Sequence, residues 1–220
     1  MRQLRGHFGQ ELELLAEAVQ KLGRAAQSAV EQALTALVHD DHELARSVIA
    51  EDVAINQMRF DIERACYDLI ATEGPVASDL RAIVATLSIT ADLERIADHG
   101  KKVANIALRM AGVPRPASMN DVQRMGQLSL VMLERALHSV AARDLAEAHL
   151  VCQADDEVDG LYKQTFNVLL SNMLENPRTV GAGTYLIQAA HELERVGDRA
   201  TNIAERVIYT VTGDLVELNL

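Results

Sequence analysis

The sequence is poor in large rings and in chain breakers. It contains no tryptophan, only 3% of its 220 residues are aromatic, and proline occurs four times, at positions 75, 114, 116 and 177. A core without aromatics must be built from Leu, Val, Ile and Ala, the mixture typical of helical bundles. Between the prolines the apolar residues recur at three-and-four spacing, which indicates long amphipathic helices. The sequence therefore predicts an all-α protein.

Positive charge is also scarce. The chain has 21 Lys and Arg residues against 32 Asp and Glu residues, a formal net charge of −11. Such a chain lacks the cations that neutralise a row of phosphates and the aromatics that stack on bases, so nucleic acid is excluded as a partner. The same charge argues against docking on anionic lipid.

Long apolar runs and disulfide patterns are missing too. No stretch approaches ~18 uninterrupted apolar residues, and residues 1–13 contain no apolar leader core. We expect neither a signal peptide nor a membrane-spanning helix, and a cytoplasmic location. Cys66 and Cys152 form no CxxC motif, so we expect reduced, buried thiols.

Six helices are predicted, three in each half. The first half has helices at about 4–39, 42–72 and 77–110, with Asp41 as an N-cap and Gly74 as a terminator. In the second half, Ser118 or Asn120 caps a helix that runs to about 142. Asp144 opens a helix that ends near 175, and the last helix covers 180–212.

The two halves repeat one plan. Acidic positions match at an offset of 103 residues in the second helix of each half and at an offset of 100 in the third. A period this long is not that of a solenoid and indicates a duplicated domain. We predict two tandem antiparallel three-helix bundles, covering residues 1–112 and 118–220, with a boundary at Gly112–Pro116. The matched pairs are Asp52 with Asp155, Asn56 with Asp159, Glu94 with Glu194 and Asp98 with Asp198.

The repeated acidic pairs predict two cation sites. Residues four apart stack one turn apart on one helix face, where like charges repel by roughly 0.2–0.5 kcal/mol. Antiparallel packing at ~1.5 Å rise per residue brings the pairs of neighbouring helices to similar heights at the solvent-facing rim of the interface. The predicted ligands are Asp52, Asn56, Glu94 and Asp98 in the first half and Asp155, Asp159, Glu194 and Asp198 in the second.

Oxygen ligands favour hard cations such as Mg²⁺, Ca²⁺, Mn²⁺ or ferric iron. The inward-facing Glu-x-x-His motif of redox di-iron bundles is missing, since Ala97 and Gly197 follow the two glutamates at the third position. His191 is a possible extra ligand in the second half, and we expect both His191 and His99 to be peripheral.

Other readings of the acidic pairs remain open. They could form a solvated surface in which Arg95 pairs with Asp92 or Asp98 and Arg195 pairs with Glu192 or Asp198. A carboxylate-bridged metallohydrolase and a metal-free helical adaptor are the functional alternatives. No nucleophile elbow, phosphate loop, dinucleotide fingerprint or zinc motif supports catalysis, so we predict that the protein is not an enzyme.

Five segments of the chain match a known family, namely Asp52–Asn56, Ile62–Cys66, Gly74–Arg81, Leu93–Asp98 and Leu193–Glu205. On these segments the chain resembles the PhoU family of phosphate-specific transport accessory proteins along nearly its whole length.

This resemblance implies two three-helix bundles whose acidic motifs bind multinuclear clusters of iron or zinc. It also implies a cytoplasmic homodimer that negatively regulates phosphate uptake and the phosphate-starvation response. The expected partners are the ATPase of the phosphate ABC transporter and a sensor histidine kinase. Two departures, Asn56 in place of an acid and Lys102 where the second half has Asn202, predict weaker metal binding in the first half.

Overall fold

The structure is a computed structural model that describes residues 2–114, 116 and 118–214, with side chains from residue 7 onward. The far ends of both predicted domain ranges and Arg115 of the predicted boundary lie outside these residues. The described chain is all-α, as predicted. Its helices are α1 (Arg2–His39), α2 (His42–Glu73), α3 (Ser78–Arg109), α4 (Met119–Ala142), α5 (Leu145–Glu175) and α6 (Val180–Thr212), with a short 3-10 turn (Pro177–Thr179) before α6.

The helix ends follow the predicted capping chemistry. The Asp41 carboxylate accepts a hydrogen bond from the Leu44 amide at 2.9 Å and so caps α2, and Asp144 caps α5 in the same way. Gly74 ends α2 with φ of 56°, a left-handed conformation that costs glycine little. Ser118 precedes α4, but its side chain makes no capping hydrogen bond.

The helices form two three-helix bundles that share one core. Helices α1, α2 and α3 pack together, as do α4, α5 and α6, and the two groups meet where α3 packs on α6 and α1 packs on α4. The largest fully buried side chains are those of Leu, Ile and Met, and each contributes roughly 1.5–3 kcal/mol by leaving water. Helices α1 and α3 approach so closely at Gly100 that a Cβ there would lie 3.0 Å from the Val30 amide nitrogen.

Two matching polar contacts join the halves across the α3–α6 seam. Arg199 Nη1 donates to Asp92 Oδ1 at 3.1 Å, and His99 Nδ1 lies 2.6 Å from Glu192 Oε2. Positions 92 and 192 correspond in the duplication, as do 99 and 199, so the two contacts are related by an approximate two-fold axis. His99, which we expect to be peripheral to the metal sites, is only 7% exposed, and its ring contacts Glu192, which is not a predicted ligand.

Within the described residues, every helix is too short or too polar to cross a bilayer.

Candidate metal centre

The second half brings three predicted ligands together. One carboxylate oxygen from each of Asp159, Glu194 and Asp198 lies within 4.8 Å of the others. Asp159 projects from α5, and the two other residues lie one turn apart on α6. Asp155, one turn before Asp159 on α5, is 8% exposed and therefore faces inward. We call these four residues the acidic cluster.

Few hydrogen-bond donors and positive side chains of the protein offset the negative charge of the acidic cluster. Asp155 Oδ1 and Glu194 Oε2 are buried, and neither has a hydrogen-bond partner in the described part of the chain. The neighbouring cations make only long contacts. Arg195 Nη1 lies 3.5 Å from Asp198, and Lys163 Nζ, on a largely exposed side chain, lies 3.7 Å from Asp159.

The electrostatics of the acidic cluster oppose ionisation. Burial, together with the charges of Asp198 and Asp159, raises the pKa of Glu194 to about 7. Burial and the same two carboxylates raise the pKa of Asp155 to about 6. Crowded, desolvated carboxylates of this kind are stabilised by a cation placed between them. Their oxygen donors suit a hard or borderline metal ion, so the residues fit the predicted site.

The acidic side chains of the first half have a different environment, because each contacts a cation of the protein. Lys101 Nζ lies 2.7 Å from Asp52 Oδ2, and Lys102 Nζ lies 3.0 Å from Asp98 Oδ2. In addition, Asn56 Nδ2 donates to Asp52 Oδ2 at 3.0 Å.

The remaining acid of the first half is likewise paired. Glu94 Oε1 lies 3.4 Å from Nη1 of Arg59, and Nε of the same arginine contacts Glu63. Every predicted carboxylate of this half therefore contacts a positive side chain, and the first half fits a metal ion less well than the second.

The duplication explains the asymmetry between the halves. Arg59 corresponds to Tyr162 at the offset of 103, Lys101 corresponds to Thr201 at the offset of 100, and Lys102 corresponds to Asn202. Three cations of the first half are thus neutral groups in the second. Sequence reasoning found only the Lys102 difference. The same offsets applied to every residue near the acidic positions would also have found Arg59 and Lys101.

If the acidic pairs formed only a solvated surface, Arg95 and Arg195 would each pair with an acid on the same helix. Only one of these two arginines does so. Arg195 contacts Asp198. The pairing predicted for Arg95 was wrong, because Asp92 is held by Arg199 across the seam and Asp98 by Lys102. His191 is exposed, as expected, and its Nδ1 lies 3.4 Å from Glu194 Oε2.

Comparison with known proteins agrees with the duplicated architecture. A family model described as "PhoU domain" matches the chain twice, over residues 19–107 and 122–207. Proteins named "Phosphate-specific transport system accessory protein PhoU homolog" are similar to it over nearly their full length. The Rhizobium meliloti homologue is 36% identical over 94% of this chain and 87% of its own length. The Clostridium acetobutylicum homologue is 36% identical over 96% of this chain and 97% of its own.

Solved structures show the same fold. The crystal structure of PhoU from Pseudomonas aeruginosa superimposes with a TM-score of 0.92 at 36% identity, covering 94% of this chain and all of that one. The phosphate transport system regulatory protein PhoU from Streptococcus pneumoniae superimposes with a TM-score of 0.89 at 31% identity, covering 96% of this chain and 99% of that one. The chain therefore belongs to the PhoU family.

Proposed function

We propose that this protein is a metal-binding regulator of phosphate uptake whose metal is held by the acidic cluster, Asp155, Asp159, Glu194 and Asp198. The observation that carries the proposal is the pair of buried oxygens Asp155 Oδ1 and Glu194 Oε2, which accept no hydrogen bond from any described residue and lie in a group of carboxylates with only long contacts to cations. A bound cation would supply the positive charge that the neighbouring side chains do not provide, and it would link α5 to α6.

The donors limit which metals suit the site. Carboxylates bind Mg²⁺, Mn²⁺, Ca²⁺, zinc and iron, and they can bridge two ions. His191 Nδ1, 3.4 Å from Glu194, would add a nitrogen donor that favours zinc or iron over Mg²⁺ and Ca²⁺. We propose iron or zinc, as the family resemblance implies, in a site at the surface of the second bundle.

The first-half residues Asp52, Asn56, Glu94 and Asp98 would bind metal weakly or not at all. A metal ion would have to displace Lys101, Lys102 and Arg59 from three carboxylates. Charge-assisted contacts of this kind contribute roughly 1.5–3 kcal/mol each when shielded and less when exposed, as Lys102 is. Displacing them would subtract directly from the binding free energy of the metal.

The proposed mode of action is contact with other proteins rather than catalysis. The relatives are named as accessory proteins of a phosphate-specific transport system. We propose that this chain acts in the cytoplasm as a homodimer on the transporter's ATPase and on the phosphate-sensing histidine kinase. It would lower phosphate uptake and silence the starvation response when phosphate is plentiful.

Two linked measurements test this proposal. Protein purified without chelator should contain metal, and Glu194→Ala with Asp198→Ala should remove it, whereas the matched pair Glu94→Ala with Asp98→Ala should retain it. In cells grown at high phosphate, the second-half variant should lose repression of phosphate uptake. Unchanged metal content in the second-half variant would refute the site, and unchanged uptake control in cells lacking the protein would refute the regulatory role.

A further inference from the structure

A second polar site lies on the α3–α6 seam, beside the acidic cluster. A surface cavity of about 260 Å³ opens there between side chains of the two halves. Because liquid water occupies about 30 Å³ per molecule, this volume accommodates a small anion with several waters. We call the cavity the seam pocket.

Positive charge is concentrated in the seam pocket. Its walls include four permanent cations, Arg95, Lys102, Arg195 and Arg199, and two carboxylates, Asp98 and Glu192. These six groups sum to a charge of +2 in a chain whose formal net charge is −11, although Asp92 and Asp198 contact Arg199 and Arg195 from outside the cavity wall and offset part of that charge. A concave, cation-rich site on an acidic protein concentrates anions locally.

The acids of the seam pocket are already engaged with other groups. Glu192 lies 2.6 Å from His99 and 3.6 Å from Lys102. Burial alone would raise the pKa of Glu192, but His99 and Lys102 outweigh it and lower the pKa. Asp98 lies 3.0 Å from Lys102. The two carboxylates therefore contact His99 and Lys102 and make no ion pair with the arginines of the seam pocket.

The arginines of the seam pocket, in contrast, have N–H groups that donate to no described residue. Arg95 is exposed and makes no hydrogen bond or ion pair with any described residue. Arg199 contacts Asp92 through Nη1, but its buried Nε has no partner in the described chain. Arg195 has only the 3.5 Å contact with Asp198. The guanidinium of Arg95, and the part of the Arg195 guanidinium that does not contact Asp198, thus border the cavity without an acceptor among the described residues.

The approximate two-fold axis gives these donors a useful arrangement. Because Asp92 pairs with Arg199 and Glu192 pairs with His99, α3 and α6 run antiparallel, and Arg95 and Arg195 occupy equivalent positions near their crossing. Two guanidinium groups on either side of an axis suit a ligand with several equivalent oxygens. Their planar N–H forks match phosphate oxygens two at a time.

We propose that the seam pocket binds inorganic phosphate, with Arg95 and Arg195 as the principal ligands and Arg199 and Lys102 as supporting cations. The proposal that phosphate binds rests on the geometry of the seam alone. Its use as the signal that reports phosphate supply rests on the proposed function. The shared Arg195–Asp198 contact would connect the seam pocket to the acidic cluster.

The test is calorimetric titration of the full-length, chelator-treated protein with sodium phosphate at constant ionic strength. We expect saturable binding of one phosphate per chain, and Arg95→Gln should weaken it by about tenfold or more, the usual effect of losing a charged hydrogen-bond donor. The matched control is Arg64→Gln, which removes an exposed arginine of α2 and should change the dissociation constant less than twofold.

Each outcome decides the proposal. No saturable binding by the unsubstituted protein, or equal weakening by the two variants, would overturn it. Titration with a phosphoserine peptide distinguishes free phosphate from a phosphoryl group on a partner, and Arg95-dependent binding of the peptide alone would also overturn it. Because these titrations use metal-free protein, their failure leaves the metal site untouched. The metal content of Arg95→Gln, which should match that of the unsubstituted protein, keeps the two proposals separate.

Discussion

Replacing Glu194 by glutamine should stabilise the metal-free protein at alkaline pH. Burial and neighbouring carboxylates raise the pKa of Glu194 from 4.5 to about 7 in the folded chain. The folded state therefore holds this proton more tightly than the unfolded state, so the metal-free protein loses stability as pH rises from 4.5 to 7. The pKa of Glu194 differs by about 2.5 units between the two states. At 1.36 kcal/mol per unit, its ionisation lowers the free energy of unfolding by about 3 kcal/mol. Glutamine keeps the shape of the protonated acid and removes this cost.

The assay is urea denaturation of chelator-treated protein at pH 5 and pH 8. Glu194→Gln should raise the free energy of unfolding by up to about 3 kcal/mol at pH 8, a rise in melting temperature of about 6–12 °C, and by little at pH 5. The duplication supplies the control. Glu94→Gln removes a contact with Arg59 and should cost about 0–1 kcal/mol at pH 8. A loss of stability in Glu194→Gln at pH 8 would refute the reasoning.

Two further predictions follow from the packing and the internal cations. Lys101→Thr with Lys102→Asn gives the first half the neutral residues of the second. Metal titration of this variant should then show additional bound metal per chain. An unchanged stoichiometry would show that the two lysines do not block metal binding. Gly100→Ala should destabilise the protein by about 1–3 kcal/mol in urea denaturation, because its Cβ would lie 3.0 Å from backbone of α1. The control Gly160→Ala, with no atom within 4 Å of its Cβ, should stabilise by roughly 0.5–1 kcal/mol, and equal effects of the two substitutions would contradict the close approach.

Local features of the fold could be predicted from the sequence because they depend on residues near one another in the chain. Helix ends at Asp41, Gly74 and Asp144 follow from capping chemistry that acts within one turn. The duplication was visible as offsets of 103 and 100 residues between matching acidic positions. The proximity of Asp159 to Glu194 then followed from helix rise and the short connection between α5 and α6.

Contacts between helices could not be predicted in the same way. The partner of Asp92 was sought three residues away at Arg95, but it is Arg199, 107 residues along the chain. Lys101 reaches Asp52 from a different helix, and no spacing rule within one helix identifies such a pair. His99 is buried, and its ring contacts Glu192 of α6. These contacts depend on how α3 is rotated against its neighbours, which periodicity within a single helix does not determine.

The most direct test of the account is anomalous diffraction from crystals of the protein loaded with zinc or iron. The acidic cluster should show an anomalous peak about 2.0–2.2 Å from oxygens of Asp159, Glu194 and Asp198. No peak should appear beside Glu94 and Asp98, whose carboxylates contact Arg59 and Lys102. Peaks of equal height in the two halves, or none at the acidic cluster, would contradict the claim that only the second half is built to hold a metal.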